Sequence, residues 1–139
     1  MTDAGFPDSL FEVIRALDTA LPLAYVGDEL PPQTALEQRL PIVLVLDVPG
    51  SHAAMPWQAG GGPLIDIFAA DFYVLAATRE RSRDLAARVR GILFSLVWNV
   101  DCNVKHVSED SAFSRAPDFN PRVKREHGEY SFRVGRRPS

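Results

Sequence analysis

Three groups of residues carry side chains that could do chemistry. Ser51-His52, close after Asp47, holds the hydroxyl, imidazole and carboxylate of a nucleophilic triad. Adjacent serine and histidine side chains rarely address one another, and nothing nearby supplies an oxyanion hole, so chance is the favoured reading. Asp66 and Asp71 sit in an otherwise apolar run. Two carboxylates can divide acid and base work, but here neither a cleft pattern nor a metal motif accompanies them. Because a carboxylate on a core-like strand is costly unless paired, a salt bridge to an arginine, within the subunit or across a contact, is the expected role. His52, His106 and His127 lie far apart without the helical spacing of metal ligands, so no metal site is expected. His127, beside Glu126 and Glu129, reads as a solvated charge cluster.

The remaining candidates are weaker. Gly60-Gly61-Gly62 is not followed by Gly-Lys-Ser/Thr and precedes a strand rather than a helix, which makes it a flexible connection and not a phosphate cradle. Cys102 is the only cysteine, which excludes an intrachain disulfide and reads as a small, partly buried side chain. The residues give no active chemistry, and neither an enzyme nor a cofactor is expected.

The elements that must position these residues read clearly in places. A helix of about 13 residues is expected from near Asp8, where Ser9 and Glu12 have capping-box spacing. Leu10, Val13, Ile14, Leu17 and Leu21 form its stripe, and Pro22 ends it. Leu23–Val26 is a short strand candidate, and Ile42–Leu46, apolar on both faces, is expected at the centre of a sheet. Residues 50–62, with Met55 and Trp57, read as a flexible loop. Pro63–Ala77 reads as a long strand rich in β-branched and aromatic residues. Asp66 and Asp71 fall on opposite faces of it unless a bulge near Ala69-Ala70 re-aims them; otherwise one face is covered by another subunit.

Thr78 punctuates the chain before a long helix whose stripe is Ser82, Leu85, Ala86, Val89, Ile92, Leu93 and Leu96. A weak strand is expected at 103–108, followed by a polar loop holding Pro117 and Pro121. Tyr130, Phe132 and Val134 alternate with polar residues in a final strand. Residues 122–129 would extend that strand as a projecting charged arm, within a charged C-terminal stretch 122–139. Two helices on one face of a mixed or antiparallel sheet of four or five strands make a two-layer α+β fold. At 139 residues, 46% apolar and 24% charged, the chain is expected to be one globular domain spanning 1–139. No apolar run reaches the roughly 18 to 20 residues of a membrane span. The acidic N-terminus lacks the pattern of a signal peptide, so synthesis in the cytoplasm is expected.

The net charge of −3 conceals a division: residues 1–78 hold ten carboxylates against Arg15 and Arg39, whereas residues 79–139 hold thirteen basic residues against eight acidic ones. Such asymmetry bears on partners more than on fold. Arg79, Arg81, Arg83, Arg88 and Arg90 surround the second helix. Arg122, Lys124, Arg125, Arg133, Arg136 and Arg137 gather toward the C-terminus. A basic patch of this kind suits phosphates, but the chain as a whole is acidic, which disfavours sequence-specific binding and leaves weak contact with passing DNA.

The order of elements, with the opening amphipathic helix, Pro41-Ile-Val-Leu-Val, Ile65-Asp-Ile-Phe-Ala-Ala-Asp, Ser82-Arg-Asp-Leu-Ala-Ala-Arg-Val-Arg-Gly-Ile-Leu93, Pro121-Arg-Val and Tyr130-Ser-Phe-Arg-Val-Gly-Arg, resembles the tail terminator (tail completion) proteins of long-tailed bacteriophages. The resemblance spans nearly the whole chain. It implies a structural virion protein of the tail and neck, usually a ring of six copies, that ends tail-tube polymerisation and docks to the head-side connector. The partners it implies are further copies of the chain, the major tail tube protein and the connector or stopper, with no membrane. Acidic and basic halves offer the two different patches that a ring interface needs. Contacts are then expected at Asp66, Asp71, Arg79, Arg83, Arg122, Lys124, Arg125, Arg133 and Arg136, with Met55 and Trp57 as docking residues. Rival readings are a head-closure or adaptor protein, a small enzyme using Asp66, Asp71 or His52, and a nucleic-acid module.

Overall fold

The computed structural model describes residues 9–48, 53–54 and 65–135. Helix α1 (Ser9–Ala20) buries Val13 and Leu17 completely, with Leu10 and Ile14 partly covered, and ends two residues before Pro22. Strand β1 (Tyr25–Gly27) pairs parallel with β2 (Ile42–Asp47), whose residues Ile42 to Val45 are all buried. That is the central, two-faced strand its apolar run implies. Strand β4 (Ile65–Ala76) lies antiparallel to β2 and leads through Thr78 into α2 (Arg79–Ser95). The Thr78 side chain caps α2 by accepting a hydrogen bond from the Arg81 amide at 3.2 Å.

A hairpin of two long strands, β5 (Val104–Asn120) and β6 (Val123–Gly135), completes a sheet of order β1-β2-β4-β6-β5. Both helices pack on one face, α1 over β1 and β2 and α2 over β4 and β6. This is the two-layer α+β fold with a mixed sheet of five principal strands. The core lies between the layers and is strongly aromatic. Phe68 stacks on Phe132 at 5.0 Å between centroids, and Phe72 meets Tyr130 edge-on at 5.6 Å. Even-numbered residues of β4 and β6 supply this face, and α2 closes it with Leu85, Val89, Leu93 and Leu96. Each such fully buried side chain is worth about 1.5–3 kcal/mol relative to exposure, which is why α2 stays on the sheet despite its five arginines.

Four expectations are corrected. The strand β4 has no bulge at Ala69-Ala70, because it pairs one-to-one with β6 from Ile65↔Gly135 to Ala76↔Lys124. The run 103–108 is the beginning of β5, and the expected polar loop after it is mostly strand. Polar residues and Pro117 hid that strand, and both suit an edge position, where one row of amides needs no partner. Residues 123–129 are no projecting arm, for they sit between β4 and β5 in the middle of the sheet. Finally, the stretch 50–62 is not wholly loop: Ala53–Ala54 form a short strand, β3, paired with Ile67 and Asp66 of β4. The rest of that stretch, with Met55, Trp57, Ser51 and His52, lies outside the described residues, as does Arg136. Among the described residues, no helix is long and apolar enough to cross a membrane.

Candidate interaction surface

Strand alternation sends the odd-numbered residues of β4 and β6 away from the helices. At one end of this second face a small cluster of Leu36, Ile42, Leu75 and Val123, with Tyr25, Leu40 and Tyr73 beside it, is covered by the segment between β1 and β2. Beyond it, the face mixes the apolar Leu46, Ile67 and Ala69 with a row of polar and aromatic side chains. The Arg125 guanidinium lies 4.9 Å above the Tyr73 ring, and the Tyr73 and His127 rings stand 4.7 Å apart. His127 Nε2 lies 2.8 Å from Asp71 Oδ1.

Asp71 therefore has a hydrogen-bonding partner, and it is a histidine of the neighbouring strand rather than the expected arginine. The expected solvated cluster of Glu126, His127 and Glu129 is likewise corrected. Adjacent residues of a strand face opposite ways, so His127 joins Asp71 while Glu126 is buried under the first turn of α2. There its Oε2 accepts from Ser82 Oγ at 3.3 Å. A carboxylate at a helix N-terminus is favoured by the helix dipole. An Asp–His pair can orient an imidazole for base catalysis, but among the described residues no hydroxyl or thiol is hydrogen-bonded to His127. No group of three or more His, Cys, Asp or Glu among them could hold a metal ion.

The expected contact residues do not converge on one site. Arg79 is spent inside the fold, donating to the Arg125 carbonyl at 3.0 Å and to Asp118 Oδ2 at 3.2 Å, which pins the start of α2 to the β5–β6 hairpin. Lys124 Nζ reaches the same Asp118 oxygen at 3.9 Å, and Arg125 also donates to the Pro117 carbonyl at 2.8 Å. Arg122 is exposed and stands 3.8 Å from Glu37. Arg83 and Arg133 are exposed, on α2 and on the open sheet face. Asp66 lies in β4 opposite Val134 and Ala54.

Sequence reasoning missed a different set. Leu23, Trp98 and Val100 are 91%, 82% and 95% exposed. Trp98 and Val100 follow α2, where Leu96 is the last buried member of its stripe. Their position two and four residues past Leu96, off that stripe, was the available signal. No family model and no curated protein matches the chain.

Proposed function

We propose that the chain is a structural virion protein that forms a ring, of six copies by its resemblance to tail terminator proteins, on the head-proximal end of a phage tail tube. There it ends tube polymerisation and offers the surface to which the head-side connector docks. The observation that carries this reading is the division of charge across the fold. The side built from α1, β1, β2 and the segment between the two strands exposes Asp18, Asp28, Glu29, Glu37 and Asp47 against Arg15 and Arg39, and the side built from α2 and β6 exposes Arg81, Arg83, Arg88, Arg90 and Arg133 against Glu80 and Asp84. A closed ring needs one patch to meet a different patch on its neighbour. Opposite charge on the two sides favours that contact over like meeting like.

The test is tail length in particles assembled without the chain. Overlong or irregular tubes support the reading. Tubes of ordinary length that fail to join heads would move the chain to another neck component, such as a head-closure or adaptor protein.

A further inference from the structure

Strands β1 and β2 run parallel, a pairing whose connection usually carries a full helix across one face of the sheet. Here residues 28–41 make that connection with two single turns of 3-10 helix, Gln33–Ala35 and Glu37–Arg39, laid over the open face. Their two ends lie close together, as in a compact surface loop, because Tyr25 pairs with Ile42 and Gly27 with Leu44. The middle of such a segment can move without unpairing a strand.

Little holds that middle down. Among the described side chains of residues 28–41 Leu36 alone is buried, whereas Leu30 is 42% exposed. Between these two leucines and Leu44, Tyr73, Leu75 and Val123 of the sheet lies a cavity of about 40 Å³. That is several times the space one water needs, and walls facing across such a gap forfeit much of their dispersion contact. The segment's backbone bonds close on itself: the Ala35 amide donates to the Pro32 carbonyl at 2.8 Å and the Arg39 amide to the Leu36 carbonyl at 3.1 Å. The Glu37–Arg122 ion pair, 3.8 Å between exposed side chains, is of the kind that contributes little. Tyr25 ties the two ends instead. Its hydroxyl donates to the Glu29 carbonyl at 3.2 Å, and its ring lies 5.1 Å from the Arg39 guanidinium. The helices, by contrast, are fixed by a separate core that shares no residue with the cluster beneath this segment.

We propose that residues 30–38 are a strap that lifts off the sheet as one piece, its ends pinned on Tyr25, and uncovers Leu44, Tyr73, Leu75 and Val123 while the helix layer stays packed. The strap is a local unit of lower stability than the fold as a whole. The apolar patch beneath it reaches the surface only in the lifted state. Lifting needs no second copy, so it stands independently of ring formation.

The experiment compares two thiols on neighbouring residues of β4, Leu75→Cys under the strap and Val74→Cys under the helices, each in a Cys102→Ala background. Each rate of labelling by a disulfide reagent is divided by the rate of the same thiol in the chain unfolded in urea. The thiol at 75 should label roughly a hundredfold faster than that at 74, with a much weaker dependence on added urea. Val89→Ala, in the core between helices and sheet, should speed labelling at 74 about tenfold and leave labelling at 75 unchanged, because the lifted state keeps that core. Equal rates for the two thiols, or equal acceleration of both by Val89→Ala, overturns the proposal. Hydrogen exchange of the wild-type chain tests the same point without either thiol. The Ala35 and Arg39 amides should share one protection factor, at least about tenfold below those of the β4 amides. Two unrelated factors, or factors equal to those of β4, would overturn it as well.

Discussion

Tyr130 is the residue on which the core and the polar surface meet. Its ring is fully buried among Phe72, Phe94 and Phe113, and its hydroxyl donates to Glu109 Oε2 at 2.7 Å. Arg90 Nε donates to the same oxygen at 2.6 Å. Burial, then the bond to Glu109, raises the Tyr130 phenol above its ordinary value, while the bonds from Arg90 and Tyr130 hold Glu109 below the usual carboxylate value. The depressed carboxylate contributes stability that is complete above 4.5 and is lost as pH falls through its lower folded value. The raised phenol contributes stability that is complete below 10.0 and is lost as pH rises from there toward its higher folded value. Urea denaturation across pH should therefore decline at both ends. Tyr130→Phe should cost about 1.5 kcal/mol at neutral pH and flatten the alkaline decline; an unchanged alkaline slope would contradict this account. Cys102 gives a second test. Burial, and then the nearby Glu12 and Asp101 carboxylates, push its thiol up, so iodoacetamide should label it more slowly at pH 7.5 than it labels free cysteine.

Single residues were legible in type but not in partner. Asp71 demanded a polar partner, and it found one 56 positions away because β4 and β6 pair in a register that brings their open-face residues together. Local spacing carries no information about such a register.

At the scale of elements, the stripes of α1 and α2 and the break at Thr78 were readable because periodicity and punctuation are local. Of strand β5 only the beginning, 103–108, was readable, since an edge strand with bulges needs little apolar patterning. The charged half of β6 misled for a related reason: its long side chains point to the open face, and Glu126 is satisfied beneath α2. Thr78→Ala should lower stability by about 1 kcal/mol, measured by chemical denaturation. Gly128→Ala should cost roughly 1–3 kcal/mol. A Cβ there would stand 3.1 Å from the Phe113 ring and 3.2 Å from the Ser111 carbonyl, leaving β5 to shift against β6. A neutral melt for Gly128→Ala would mean that the hairpin is looser than its contacts imply.

For the whole molecule, the sheet order puts β1 and β2 at one edge and β6 and β5 at the other, with the arginine-rich α2 over β4 and β6, so the division of charge in the sequence is kept in part in space. Self-association through complementary sides should weaken as salt is raised. Arg133→Glu is the cleaner charge reversal, since Arg133 is exposed and should lose association without losing stability. Arg125→Glu should lose both, because Arg125 stacks on Tyr73 and bonds the Pro117 carbonyl. Equal melting temperatures for the two variants would contradict that distinction. The most direct measurement of the central claim is cryo-electron microscopy of the head-proximal end of assembled tails. The account predicts a closed ring of this chain seated on the last layer of the tube, neighbours touching through different patches. A tail of ordinary length whose end carries no copy of the chain would contradict it.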